Sequence, residues 1–164
     1  HSNVVELLLK NSADINLKDN YGWSPIYTAS VNGHLNVVEL LLKNGADINL
    51  KTSYRWSPII AAAQEGYDGV VEVLLQNGAN MNDQNNEGET ALYMASERGH
   101  SNVVELLLKN GADINLKDNI GLSPIYAASV NGHERVVELL ITNGTLVNIK
   151  NKDGFSSIHG AADN

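Results

Sequence analysis

A phrase of eleven residues returns along this chain at a fixed interval, which constrains the fold more than any other feature. The phrase HSNVVELLLKN begins at His1 and recurs in equal steps, with few changes, from His34, Tyr67, His100 and His133. A second phrase keeps the same register: SPIYTA, SPIIAA, TALYMA, SPIYAA and SSIHGA, from Ser24, Ser57, Thr90, Ser123 and Ser156. The step from each copy to the next is 33 residues. A repeat period of this length predicts a stack of supersecondary units in which each unit packs on its neighbours.

Each repeat carries the signals of two short helices. Ser24 stands where its oxygen can accept from free backbone N–H groups, and Pro25 takes the first helical position, where no donor is needed. The same pair recurs as Ser57 with Pro58 and as Ser123 with Pro124. Small residues fill this first helix. A glycine turn then leads to a second helix with an apolar stripe at helical spacing, which we expect to be core: Val37, Val38, Leu41 and Leu42.

A glycine and an irregular segment follow each second helix. The glycines stand where a left-handed helix end favours them, at Gly45, Gly78, Gly111 and Gly144. The segment ADINLKDNYG, from Ala13, alternates in polarity and is rich in Asn, Asp and Gly. That pattern predicts an extended arm with a tight turn. A slim helix beside a bulkier one predicts a curved stack, with the turns and the first helices on the concave side.

The repeat resembles the ankyrin repeat family, whose T-P-L-H-x-A signature falls where the second phrases stand and whose period of about 33 residues matches the step seen here. The resemblance covers the whole chain. It implies an all-α repeat solenoid, an ankyrin-type stack of helix-turn-helix units with protruding β-turn or hairpin arms. A single array then spans 1–164, with half repeats at 1–18 and 151–164 and repeats at 19–51, 52–84, 85–117 and 118–150. Where the family motif has His, this chain keeps only His159 and has elsewhere Tyr27, Ile60, Tyr93 and Tyr126.

Composition limits the classes of partner. The chain has 11 Lys and Arg against 19 Asp and Glu, a net charge of −8, and its basic residues are scattered singly. Binding to nucleic acid needs a basic stripe, so the sequence predicts no nucleic-acid partner. No apolar run has the length of a membrane span, which argues against direct membrane insertion. We expect a protein or an extended peptide as partner, with the cytoplasm as the default location.

No motif in the sequence predicts catalysis. There is no cysteine, no glycine-rich phosphate loop, no nucleophile elbow and no cluster of His with carboxylates at ligand spacing. Four of the five histidines recur at one repeat position, which favours a structural role over metal binding. The sequence therefore predicts no catalytic residue, no metal site and no cofactor, and the chain is not expected to be an enzyme.

Candidate partner contacts emerge where near-identical segments differ. Residues 1–34 and 100–133 differ at only four positions: Ser12 against Gly111, Tyr21 against Ile120, Trp23 against Leu122, and Thr28 against Ala127. Two of the four lie at the tip of the turn. In the ankyrin family the turn tip and the exposed side of the first helix usually hold the partner. The resemblance therefore implies that these positions, and their equivalents in the other repeats, form the binding surface.

The predicted contact residues form two sets. The turn tips supply Tyr21, Trp23, Tyr54, Arg55, Trp56, Glu87, Glu89, Ile120, Leu122 and Phe155. The first helices supply Val31, Asn32, Gln64, Glu65, Glu97 and Arg98. The first two tips are thus aromatic, the middle is charged, and the last two are apolar. The aromatic side chains are either partner anchors, as Trp and Tyr often are, or pack on the adjacent turn and stiffen the arm.

The second complete repeat departs most from the pattern. Arg55 takes the turn position that is glycine in the other repeats, where a positive φ costs a larger residue about 1 kcal/mol. Gly69 falls inside a second helix, and Tyr67 replaces the histidine that opens it. These changes are either drift in a tolerant array or the mark of a binding role for Arg55.

Three functions remain open from the sequence. The leading one is a non-catalytic protein-binding module or scaffold that grips a protein or peptide on its concave face. The second is an assembly element that stacks head to tail, because residues 151–164 followed by 1–18 make a nearly whole repeat. The third is a regulatory ankyrin region of a larger enzyme or channel. An array that opens on a second helix and closes within a first helix is expected to be a segment of a longer chain.

Overall fold

A computed structural model describes residues 1–163. Over these residues the chain forms ten helices and no strand. They are α1 (Ser2–Lys10), α2 (Pro25–Val31), α3 (Leu35–Lys43), α4 (Pro58–Glu65), α5 (Asp68–Gln76), α6 (Ala91–Arg98), α7 (Ser101–Lys109), α8 (Pro124–Val130), α9 (Glu134–Thr142) and α10 (Ser157–Ala162). The prediction of an all-α repeat solenoid is confirmed.

Alternate helices form two layers with the core between them. The first helices of the repeats, α2, α4, α6, α8 and α10, contact one another in order, and so do the second helices, α1, α3, α5, α7 and α9. One leucine of each interior second helix is at most 1% exposed, at Leu41, Leu74, Leu107 and Leu140. Buried alanines such as Ala62 and Ala95 belong to the same core, and their small side chains let the first helices approach closely. In the predicted stripe Val38 and Leu41 are fully buried, whereas Val37 and Leu42 are half-buried against the core.

The helix starts only partly match the expectation. Prolines occupy the first turn of α2, α4 and α8, as predicted. The Ser24 hydroxyl accepts from the Tyr27 N–H at 3.3 Å, but the side chains of Ser57 and Ser123 make no capping hydrogen bond, so that prediction is wrong at those two helices. Both serines keep the extended backbone of a cap. Because the proline that follows already fixes the φ of the first helical residue, the helix start does not depend on the hydroxyl.

Each arm ends in a β-turn, and no arm within 1–163 is a stranded hairpin. At the first tip the Gly22 N–H donates to the Asp19 carbonyl, and the Asp19 N–H donates to the Trp23 carbonyl, both at 3.0 Å. Oδ1 of Asp19 accepts from the N–H groups of Tyr21 and Trp23, at 2.9 and 2.8 Å. An Asx side chain makes the same pair of bonds in three further arms, at Asn85, Asp118 and Asn151. Four tips are therefore held from within by an Asp or Asn side chain at one repeat position, and at the second tip Oγ1 of Thr52 accepts from the Trp56 N–H at 3.1 Å.

Polar side chains at two repeat positions hold neighbouring repeats in register. Asn16 accepts at Oδ1 from the backbone N–H of Asp47, one repeat further on, at 2.9 Å. Asn49, Asn82 and Asn115 make the equivalent bond. Nε2 of His100 lies 2.9 Å from the carbonyl oxygen of Gln64 in the preceding repeat, and His133 repeats the contact at 2.8 Å. These histidines serve in the packing of the array, as their spacing indicated.

Candidate functional site

Six of the predicted contact residues lie together around one groove. Its volume is about 260 Å³, and it opens between the first two arm tips and the first helices behind them. We call it the aromatic groove; the predicted residues that line it are Tyr21, Trp23, Tyr54, Trp56, Val31 and Gln64. The surface formed by all the arm tips and the exposed sides of the first helices is called the tip face below. Trp23 and Trp56 are the only tryptophans of the chain.

The four aromatic side chains differ in how much of their surface is covered. Tyr21 and Tyr54 are 68% and 67% exposed, and Trp23 is 38% exposed. Trp56 is half-buried and packs against the core. Trp23 lies between two tyrosine rings, with centroids 6.3 Å from Tyr21 and 5.2 Å from Tyr27, both tilted. Packing thus accounts for much of the Trp56 surface, while most of the surface of both tip tyrosines stays uncovered.

A backbone hydrogen bond ties the two tips of the groove together. The Ser53 N–H donates to the Tyr21 carbonyl at 3.2 Å. The Asn86 N–H donates to Tyr54, and the Asn119 N–H to Glu87, at 3.1 and 2.9 Å. Because every tip is bonded to the next one in this way, the tip side chains stand in a row at fixed separation.

Sequence reasoning missed three residues that line the groove, Tyr27, Thr52 and Ala61. Tyr27 is 6% exposed and its ring forms the floor beside Trp23. Burial raises the pKa of its phenol above the ordinary value, and the nearby Glu65 carboxylate adds to the shift. The available signal was the spacing, because Tyr27 follows Trp23 by four residues across the start of α2. Thr52, in the second arm, and Ala61, on α4, carried no such signal, since they line the groove only because neighbouring repeats pack together.

The charged middle of the tip face is mainly acidic. Glu87 and Glu89 stand at the third tip, and Glu97 stands on α6 behind them. We call these three carboxylates the acidic cluster. Burial raises the pKa of Glu89, and a hydrogen bond from the Asn85 amide at 2.7 Å lowers it. Repulsion from Glu97, Asp118 and Glu87 raises the pKa of Glu89 further. Nε of Arg98 lies 3.5 Å from Glu97, with both side chains partly exposed.

The remaining predicted residues do not converge on the aromatic groove. Asn32 and Glu65 are exposed near its rim, and Arg55 is exposed at the second tip with a φ of 61°, as its place in the turn predicts. Ile120 is 59% exposed, and Leu122 packs against the core. Phe155 is 49% exposed and meets the His159 ring edge-on at 5.7 Å. The predicted contact residues thus form three zones along the tip face.

Residues 1–163 contain neither a candidate metal site nor a candidate membrane-spanning helix. Within residues 1–163 no group of three or more His, Cys, Asp and Glu side chains is placed to hold a metal ion. None of the ten helices in that range is long and apolar enough to cross a membrane.

Two layers of short helices, joined by turns that return at a constant interval, define a helical-repeat protein. Comparison with family models identifies the repeat. The model described as ankyrin repeats (3 copies) matches residues 1–52 and 49–118, and the one described as ankyrin repeats (many copies) matches 102–141. The chain belongs to the ankyrin repeat family. No curated protein matches it significantly.

Proposed function

We propose that this chain is a non-catalytic protein-binding module that holds a protein or an extended peptide on its tip face. Ankyrin repeats are generally protein-interaction modules and are typically non-catalytic. The observation that carries the proposal is the aromatic groove, where two tyrosines are mainly exposed beside the only two tryptophans of the chain. A turn that only connects helices has no need of such side chains.

The physical character of the groove suits an anchor site. Tyr and Trp supply large rigid contact area with few rotatable bonds, so ordering them on binding costs little entropy. The hydrogen bond between Ser53 and Tyr21 fixes the two tips in advance, which reduces the cost of association further. Truncating an anchor of this kind often costs about 2 kcal/mol or more of binding free energy.

Replacing both tip tyrosines tests the proposal. The double variant Tyr21→Ala, Tyr54→Ala is expected to fold like the parent, because both side chains are mainly exposed. The parent is screened against an array of short synthetic peptides, and the affinities of the retained peptides are measured. We expect at least a ~30-fold loss for the double variant, which corresponds to about 2 kcal/mol.

The matched control removes exposed apolar surface elsewhere. Ile141 and Leu146 are 51% and 61% exposed and lie outside the tip face. The double variant Ile141→Ala, Leu146→Ala should retain full affinity. The tryptophans give a second readout, because both line the groove and their fluorescence is expected to change when a peptide occupies it. Equal affinity of the tyrosine variant and the parent, or no retained peptide at all, contradicts the proposal.

Arg55 supplies a separate test of the tip face. Its φ of 61° lies in the left-handed region, where a residue with a Cβ is strained by about 1 kcal/mol. Arg55→Gly is therefore expected to raise the free energy of unfolding by about 1 kcal/mol while weakening peptide binding. Urea denaturation and peptide titration measure the two effects. Arg55→Ala separates the two effects, since it keeps the backbone strain and removes the guanidinium. Unchanged affinity in both variants would mean that Arg55 has no binding role and reflects drift in a tolerant array.

A second candidate function is assembly by head-to-tail stacking, favoured by exposed apolar residues at both ends of the described array. Val4, Leu7 and Leu8 of α1 are 56%, 61% and 55% exposed, and Ile158 of α10 is 74% exposed. A second copy of the chain that stacked on these faces would cover them. Sedimentation velocity over a range of concentrations tests this candidate, with Leu7→Glu as the variant that should dissociate the assembly. A mass that stays monomeric at every concentration rejects it.

A further inference from the structure

The aromatic groove and the acidic cluster are neighbours on the tip face. Glu87 and Glu89 occupy the tip positions that Tyr54 and Trp56 hold in the preceding arm. The Asn86 N–H donates directly to the Tyr54 carbonyl at 3.1 Å, so the two tips are bonded to each other. A ligand that lies along the row of tips therefore meets the groove first and the cluster next.

The acidic cluster carries more negative charge than the described residues around it neutralise. Among residues 1–163 the basic side chain paired with it is Arg98, at 3.5 Å from Glu97 and 54% exposed. Glu89 is half-buried beside Glu87, Glu97 and the Asp118 carboxylate, and the repulsion among them raises its pKa in addition to the effect of burial. Burial raises the pKa of the Tyr93 phenol, and the Asp118, Glu97 and Glu89 carboxylates raise it further. A cation brought by a partner would relieve this repulsion.

We propose that the partner is an extended peptide segment with an apolar or aromatic residue for the aromatic groove and a lysine or arginine for the acidic cluster. This inference rests on the proposed function and specifies its ligand. Charge complementarity carries the choice, because a nucleic acid, or a second copy of a chain with a net charge of −8, would bring negative charge to the cluster. In this arrangement the Arg55 guanidinium, beside the groove, donates hydrogen bonds to backbone carbonyls of the peptide.

The geometry also sets the spacing of the two residues. Helices of neighbouring repeats pack about 8–10 Å apart, and the cluster lies about one and a half repeats from the centre of the groove, or roughly 12–15 Å. An extended chain advances about 3.3 Å per residue. The basic residue should therefore stand about four positions from the anchor.

The experiment is a synthetic peptide array with a fixed phenylalanine anchor, in which the surrounding positions vary among Lys, Glu, Ser and Gly. Binding of the parent is compared with that of the double variant Glu87→Gln, Glu89→Gln. The control Glu39→Gln, Glu72→Gln changes the net charge equally on exposed residues of α3 and α5. We expect the parent and the control to prefer Lys about four positions from the anchor by about tenfold, and the cluster variant to lose that preference.

The outcomes separate the two proposals. If peptides bind through the phenylalanine and the tyrosine variant abolishes their binding, but Lys and Glu at the distal position are equivalent, the charge inference is overturned and the groove stands. If the parent retains no peptide, or retains peptides that the tyrosine variant binds equally well, the proposed function and this inference both fail. A Lys preference that survives in the cluster variant also overturns the inference. Circular dichroism of each variant confirms its fold beforehand.

Discussion

Replacing Leu107 with alanine is expected to lower the free energy of unfolding by about 3–5 kcal/mol, whereas the same change at Leu8 should cost less than about 1 kcal/mol. Leu107 is 0% exposed and belongs to α7, which contacts α5, α6 and α9. Truncation there removes buried apolar surface and leaves a cavity that its neighbours can fill only in part. Leu8 is 55% exposed, so its truncation leaves no such cavity.

The chain itself supplies the matched control for this experiment. Residues 1–11 and 100–110 have the same sequence, HSNVVELLLKN, and fold as α1 and α7. Helix propensity and the local unfolded state are therefore the same for both leucines, and burial is the variable that differs. Urea denaturation of each variant gives the free energy and its slope. Because repeat arrays can lose cooperativity, tryptophan fluorescence and circular dichroism should be followed together.

Equal losses at the two leucines would contradict the assignment of burial along the stack. A large loss at Leu8 would mean that the outer face of α1 is covered in solution, as head-to-tail stacking requires. The result would then depend on protein concentration, which a dilution series detects.

The same pair of helices shows what the sequence could and could not predict about the fold. The apolar stripe, the prolines and the turn glycines are local signals, and they predicted the helices and the positive φ of Arg55. Burial is not a local signal in a repeat, because it depends on whether a neighbouring repeat covers the helix. Identical sequences in α1 and α7 therefore have different environments. Capping by Ser57 and Ser123 failed for a related reason, since the sequence allows the bond but does not require it.

The candidate site could be predicted only as far as it depends on the position of each residue within its repeat. The repeat position of the tips placed Tyr21, Trp23, Tyr54 and Trp56 on one face, and the structure shows them around one groove. The position of a residue within its repeat carries no information about how adjacent arms contact each other, so the part of the groove that Thr52 lines was missed. Nor does it reveal that Glu89 is half-buried among other carboxylates. Whether these residues bind a partner stays a prediction.

The contact between arm tips can be tested through Gly88. Its φ is +82°, and a Cβ built there would lie 2.7 Å from the backbone nitrogen of Asn119 and 2.6 Å from its Oδ1. That nitrogen donates to the Glu87 carbonyl at 2.9 Å, so the added methyl would push against the bond that joins the third and fourth tips. Gly88→Ala is expected to lower the free energy of unfolding by about 3 kcal/mol, from backbone strain and steric overlap together.

Gly78→Ala is the control, because it introduces the same backbone strain as Gly88→Ala without the steric overlap. Gly78 has a φ of +85°, and a Cβ there would meet no atom within 4 Å, so we expect a loss of only about 1 kcal/mol. Arg55 shows how the turn could relax, because at the position equivalent to Gly88 its φ falls to 61° and the bond between tips is kept, at 3.1 Å. Equal losses for both alanine variants would mean that the third arm relaxes in the same way. The row of tips would then be adjustable, and the spacing between the aromatic groove and the acidic cluster would not be fixed.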